Sequence, residues 1–100
     1  MLNEHVTIPD AVIAEFCQRH HIRKLSLFGS VLRDDFDSDS DIDVLVEFEP
    51  DALIGLEFIS MQDELSEILE RRVDLNTPDF LSRHFRQQVL QRAQTLYERT

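Results

Sequence analysis

Two short stretches of this 100-residue sequence combine residue types that can do chemistry, Phe28-Gly29-Ser30 and Ser40-Asp41-Ile42-Asp43. Asp41 and Asp43 are two apart at the start of an apolar, β-branched run. A strand there projects both carboxylates from one face of a sheet. Two carboxylates held close repel each other unless a cation lies between them. Oxygen-only donors suit a hard divalent ion, and Mg²⁺ is commonly held by one or two carboxylates together with substrate phosphates. Gly29-Ser30 follows a short apolar run, Lys24 to Phe28, that reads as a strand. Glycine lets the backbone approach a ligand, while free N–H groups and a serine hydroxyl can grip phosphate. A phosphate-gripping turn facing an Asp-x-Asp metal pair is a constellation for nucleotide chemistry.

The same stretch has competing readings. Residues 34–51 hold nine Asp and Glu and no Lys or Arg, which accounts for most of the formal charge of −10. A charge run of this kind is usually a solvated loop, but this one merges into the apolar run Ile42 to Phe48. The alternation of Asp37, Asp39, Asp41 and Asp43 resembles the first ligands of an EF-hand. That loop needs glycine at its sixth position and glutamate at its twelfth. Counted from Asp37 these are Ile42 and Phe48, and counted from Asp39 they are Val44 and Pro50, so the EF-hand fails. His20 and His21 end a helix, where a cation is favourable, and His5 and His84 have no partner at ligand spacing. Cys17 lies on an apolar helix face and is expected in the core.

Positioning these residues requires a scaffold, and the pattern supplies one. Pro9-Asp10 opens a helix with Val12, Ile13, Phe16 and Cys17 at helical spacing. Lys24 to Phe28 and Ile42 to Phe48 read as strands, and Ser30 to about Asp34 as one helical turn. From Leu53 to Glu70, Ile54, Phe58, Met61, Leu65 and Ile68 mark one apolar helix face. Arg72 to Asn76 is a third strand. Thr77-Pro78-Asp79 starts a last helix, carried by Leu81, Phe85, Val89 and Ala93. The order predicts an α/β fold of the α+β kind, with about four helices packed on a small three-stranded mixed sheet. No linker or repeat interrupts the chain, so residues 1–100 are expected to form a single domain.

Composition narrows the function. A hydrophobic content of 42% supports a core, although a domain of this size is marginally stable by burial alone. A net charge of −10 argues against direct nucleic acid or anionic lipid binding, since both need a basic surface. A single cysteine excludes an internal disulfide and a cysteine-based metal site. The N-terminus lacks the pattern of a signal peptide, and no apolar run reaches the ~20 residues that span a bilayer. The expected location is cytoplasmic, with no membrane partner.

The stretch LFGSVLRDDFDSDSDIDVLVEF resembles the signature of the DNA polymerase β-like nucleotidyltransferase superfamily, Gly-Ser followed about ten residues later by Asp-x-Asp. Over essentially its whole length the chain is similar to the minimal nucleotidyltransferase (MNT) proteins, antitoxins paired with HEPN-domain ribonuclease toxins. The resemblance implies the polymerase β-like nucleotidyltransferase fold and a metal-dependent nucleotidyltransferase, with ATP as substrate and two Mg²⁺ ions as cofactor. By position it implies that Gly29 and Ser30 hold the triphosphate and that Asp41 and Asp43 bind the catalytic metals. Asp74, in Arg72-Val73-Asp74-Leu75, matches the third catalytic and metal-binding carboxylate. Arg33 matches the basic residue of the Gly-Ser-x-x-Arg form, a phosphate contact, and is followed by Asp34 where many relatives carry glycine. At this length no further domain that would position an acceptor is expected, so the resemblance implies a partner that brings one. The partner it implies is a HEPN toxin in a hetero-oligomer, expected to be silenced by AMP transfer onto a tyrosine. Two other readings stay open: a non-catalytic antitoxin that masks the toxin by binding, and a free-standing transferase acting on a small hydroxylated molecule.

Overall fold

The β-branched run after the Asp-x-Asp pair forms a central strand of a four-stranded sheet. The computed structural model describes residues 8–32, 41–81 and 83–99, with Ser30, Val31 and Phe80 placed by their backbone. The elements are α1 (Asp10–Arg19), β1 (Ile22–Phe28), a 3₁₀ turn (Gly29–Leu32), β2 (Ile42–Phe48) and α2 (Glu57–Leu69). They are followed by β3 (Val73–Asn76), a second 3₁₀ turn (Pro78–Phe80), α3 (Arg83–Arg92) and β4 (Gln94–Glu98). The strand order is β3-β2-β1-β4. β1 runs antiparallel to both β2 and β4, whereas β2 and β3 are parallel, joined through α2. A parallel pair needs such a crossover.

Strand alternation divides the sheet into two faces of different character. Ile42, Val44 and Val46 of β2, Leu25 and Leu27 of β1, and Val73 and Leu75 of β3 are buried in one cluster. They pack there with Ile13, Phe16 and Cys17 of α1 and Met61, Leu65 and Leu69 of α2. Ile22 joins the same face although its spacing to Leu25 is odd, because the β1–β2 register shifts between Ile22 and Lys24. The intervening residues point the other way. Phe28 and Leu45 bury there against Val89 of α3 in a smaller second cluster. α3 covers only part of this face.

The edge strand β3 is held by side chains of α2. The Val73 amide donates to Ser66 Oγ at 3.1 Å and the Leu75 amide to Gln62 Oε1 at 2.9 Å. The Ser66 hydroxyl donates in turn to the Gln62 carbonyl at 2.8 Å. These bonds satisfy donors that face away from β2 and would otherwise be lost on burial.

The α/β class and the mixed sheet agree with the expectation, and two counts are corrected. The sheet has four strands, not three, because Gln94–Glu98 adds to the outer edge of β1. The described residues form three α-helices, not four, with two 3₁₀ turns where helical turns were expected near Ser30 and Pro78. α2 begins at Glu57, not Leu53. Leu53 and Leu56 are 93% and 88% exposed, while Ile54 between them packs against the core.

Candidate active site

Asp41 and Asp43 lie at and just inside the start of β2, and Asp74 is the second residue of β3. In the parallel pair Asp43 is the register partner of Asp74, as Ile42 is of Val73. Adjacent strands lie about 4.8 Å apart, and register partners share a face. Since Ile42, Val44, Val73 and Leu75 point into the core, Asp41, Asp43 and Asp74 share the opposite face, the one α3 partly covers. Asp74 is exposed and Asp43 half-buried.

β1 ends beside this pair. Phe28 is the register partner of Asp43 across the β1–β2 ladder, so Gly29 begins its turn against that carboxylate. Gly29 has φ +76°, in the left-handed region, and a Cβ built on it would overlap the Asp43 carboxylate. Glycine is therefore required twice, by backbone conformation and by space. Ser30 takes the next position of the 3₁₀ turn. Arg33 lies outside the described residues, as do the acidic positions 34–40.

Arg72, to which sequence reasoning assigned no role, contacts the Asp41 carboxylate directly. Its Nε donates to Asp41 Oδ1 at 2.7 Å. The signal was present in the sequence: Arg72 is two residues before Asp74, as Asp41 is two before Asp43, so both pairs alternate onto the same face. A cavity of about 410 Å³ opens beside the turn, bordered by Phe28, Gly29, Leu32, Phe85 and Arg92. On its α3 side Arg92 is, among the described residues, the one charged residue that lines it, beside Phe85, Gln88 and Val89. A second cavity of about 350 Å³ lies at the opposite end of β1, near Cys17, His21 and Glu49, remote from the carboxylates.

The other singled-out side chains have structural roles. Cys17 is fully buried, and burial pushes its thiol up to about 12. His20 Nε2 lies 3.0 Å from Glu64 Oε1, and Arg19 Nη2 donates to Glu64 Oε2 at 2.5 Å, tying α1 to α2.

Three carboxylates on one face form an oxygen donor set suited to a hard divalent ion and to no soft one. Among the described residues no three His, Cys, Asp or Glu side chains already close on a single point; Asp41 is turned to Arg72 instead. A glycine turn, a carboxylate pair set by strand register and a cleft bordered by Arg92 thus lie together at one end of the sheet.

Comparison with known proteins agrees. Residues 10–96 match the family model of the nucleotidyltransferase domain, and the chain belongs to that family. It is a nucleotidyltransferase of the minimal kind. It is 38% identical over 74 residues to the protein adenylyltransferase MntA of Thermococcus cleftensis, covering 74% of each chain. It superposes with a TM-score of 0.70 on a solved putative minimal nucleotidyltransferase, at 33% identity, covering 84% of this chain and 85% of that one. A toxin–antitoxin crystal structure with AMP-PNP shares the fold, with a TM-score of 0.72 at 23% identity over 93% of this chain and 76% of that one.

Proposed function

We propose that this protein is the antitoxin of a HEPN/MNT pair and transfers AMP from ATP to a tyrosine of its cognate HEPN toxin. The observation that carries the reading is the register of Asp43 opposite Asp74, with Gly29 packed against the Asp43 carboxylate. A protein that only masked its partner would need no carboxylates on one face beside a turn that admits only glycine. The protein adenylyltransferase relative and the toxin–antitoxin neighbour that carries AMP-PNP support the same assignment.

Gly29 and Ser30 bind the triphosphate through turn amides, and Arg33 is the further phosphate contact that the Gly-Ser-x-x-Arg pattern implies. Asp41, Asp43 and Asp74 are the residues that would hold Mg²⁺, which supplies neutralisation of the charge developing on the phosphates. The cleft between Gly29 and α3 takes the nucleoside; its volume of about 410 Å³ falls in the range of small-molecule sites. Phe85, 48% exposed, offers an aromatic surface and Arg92 a cation. The tyrosine oxygen attacks the α-phosphorus, the bond to the bridging oxygen breaks, and pyrophosphate leaves. Asp74, exposed at the sheet edge, accepts the hydroxyl proton.

The test is to incubate the toxin with this protein, ATP and Mg²⁺, then separate the two. The toxin is expected to carry one or more added AMP masses on a tyrosine and to remain inactive. Unmodified toxin that regains full ribonuclease activity would establish masking by binding alone.

A further inference from the structure

Resting on the reading of Asp41 as a metal ligand, we propose that Arg72 is a positioning residue that stands in for a divalent cation. Its guanidinium holds the Asp41 carboxylate in the metal-free protein, and a metal ion enters only by displacing it.

The geometry of the β2–β3 edge carries this inference. Ile42 and Val73 are the first register partners of the parallel pair, so Asp41 and Arg72 face each other one step outside it. The Ile42 amide donates to the Arg72 carbonyl at 2.9 Å, which fixes the Arg72 backbone at that level. Its side chain then reaches Asp41 with a short, charge-assisted bond of 2.7 Å. The four residues form two cross-strand pairs, Asp41 with Arg72 and, directly inward, Asp43 with Asp74.

The second pair places like charges opposite each other, and such charges repel. Arg72 supplies one positive charge at the rim of this cluster, to the one carboxylate that has no register partner of its own sign. Asp41 is thereby engaged with Arg72 in the metal-free protein. The guanidinium is 77% exposed and Asp41 47% exposed. At that exposure the pair can open at the scale of an ordinary surface ion pair. A divalent ion held by Asp41 would bring twice the charge of the guanidinium, which favours the exchange when metal is present.

The experiment measures binding of Mn²⁺ alone to the full chain, by the electron paramagnetic resonance signal of free ion, with no nucleotide or toxin. Arg72→Gln is expected to tighten Mn²⁺ binding about two- to fivefold, the scale of an exposed ion pair. Arg99→Gln removes the same charge from a residue that pairs with Glu49, and is expected to leave the affinity unchanged. In the unmodified protein, the NMR cross-peak of Arg72 Nε–H, assigned by its absence in Arg72→Lys, should move in a saturating way as Mg²⁺ is added. Equal or weaker Mn²⁺ binding by Arg72→Gln overturns the proposal. So does an equal gain in Arg99→Gln, which would reduce the effect to net charge, or an unmoved cross-peak while metal binds. If neither the parent nor the variants bind Mn²⁺, the reading of these carboxylates as metal ligands falls first and takes the proposal with it.

Discussion

Asp43 and Asp74 stand opposite each other in the parallel β2–β3 pair, although 30 residues and a helix separate them in the chain. Like charges directly opposite each other on neighbouring strands repel. Asp74→Asn removes one charge without changing shape. It is expected to raise the stability of the metal-free protein slightly, by ~0.2–1 kcal/mol, read as a higher melting temperature, while AMP transfer falls by orders of magnitude. Nucleotide binding, measured by calorimetry with a non-hydrolysable ATP analogue, should stay within a few-fold of the parent. A loss confined to the transition state lowers turnover without a matching change in affinity.

Gly29 and Gly55 make a matched pair for testing why glycine is needed. Gly29→Ala places a Cβ against the Asp43 carboxylate at φ +76° and should cost ~1–2 kcal/mol for backbone strain, more with the overlap. At Gly55 an added Cβ would meet no atom within 4 Å and φ is not left-handed, so Gly55→Ala should lie within ~0.5 kcal/mol of the parent. Urea unfolding of the two variants reads both values.

Much of the geometry of the candidate site is legible in the sequence, and the residues show why. The Gly-Ser and Asp-x-Asp spacings are local, and period-2 alternation puts Asp41 and Asp43 on one face with no tertiary knowledge. Strand β3 was also visible, but its register with β2 was not, since that depends on the length and path of α2. Strand β4 was hidden because Gln94–Glu98 follows α3 without Gly or Pro to mark the change. Its identity comes from pairing with β1, some 70 residues earlier, in which Lys24 meets Glu98. The expected helix began at Leu53 because Ile54 continues the apolar stripe, but the helix starts at Glu57 and Ile54 packs on the core from the segment before it.

Gln62 and Ser66 should matter beyond their size. Gln62→Leu leaves the Leu75 amide without its side-chain acceptor, and an unsatisfied donor costs ~1–3 kcal/mol. Because that amide lies next to Asp74, hydrogen exchange in β3 should accelerate selectively, with α1 and β1 less affected. Uniform acceleration across the sheet would contradict a local clamp.

The Glu64 carboxyl is held below its ordinary value of 4.5, first by its hydrogen bond to Arg19, then by the one to His20, against the opposing effect of burial. A carboxylate whose value is depressed on folding adds stability that is present above the unfolded value and lost as pH falls through the folded one. The melting temperature of the parent should therefore exceed that of Glu64→Gln at pH 6 to 7, and the gap should close below about pH 4.5. The pair with Arg19 is largely exposed, which limits the gap to about 1 kcal/mol or less.

Nucleotidyl transfer by the carboxylates at the start of β2 is tested most directly with the cognate toxin. The toxin is incubated with α-labelled ATP, Mg²⁺ and either the parent protein or Asp41→Asn/Asp43→Asn, after circular dichroism has shown that both are folded. Label is expected on the toxin with the parent protein and none with the double variant. Undiminished label with the double variant would contradict the assignment of these carboxylates to the reaction.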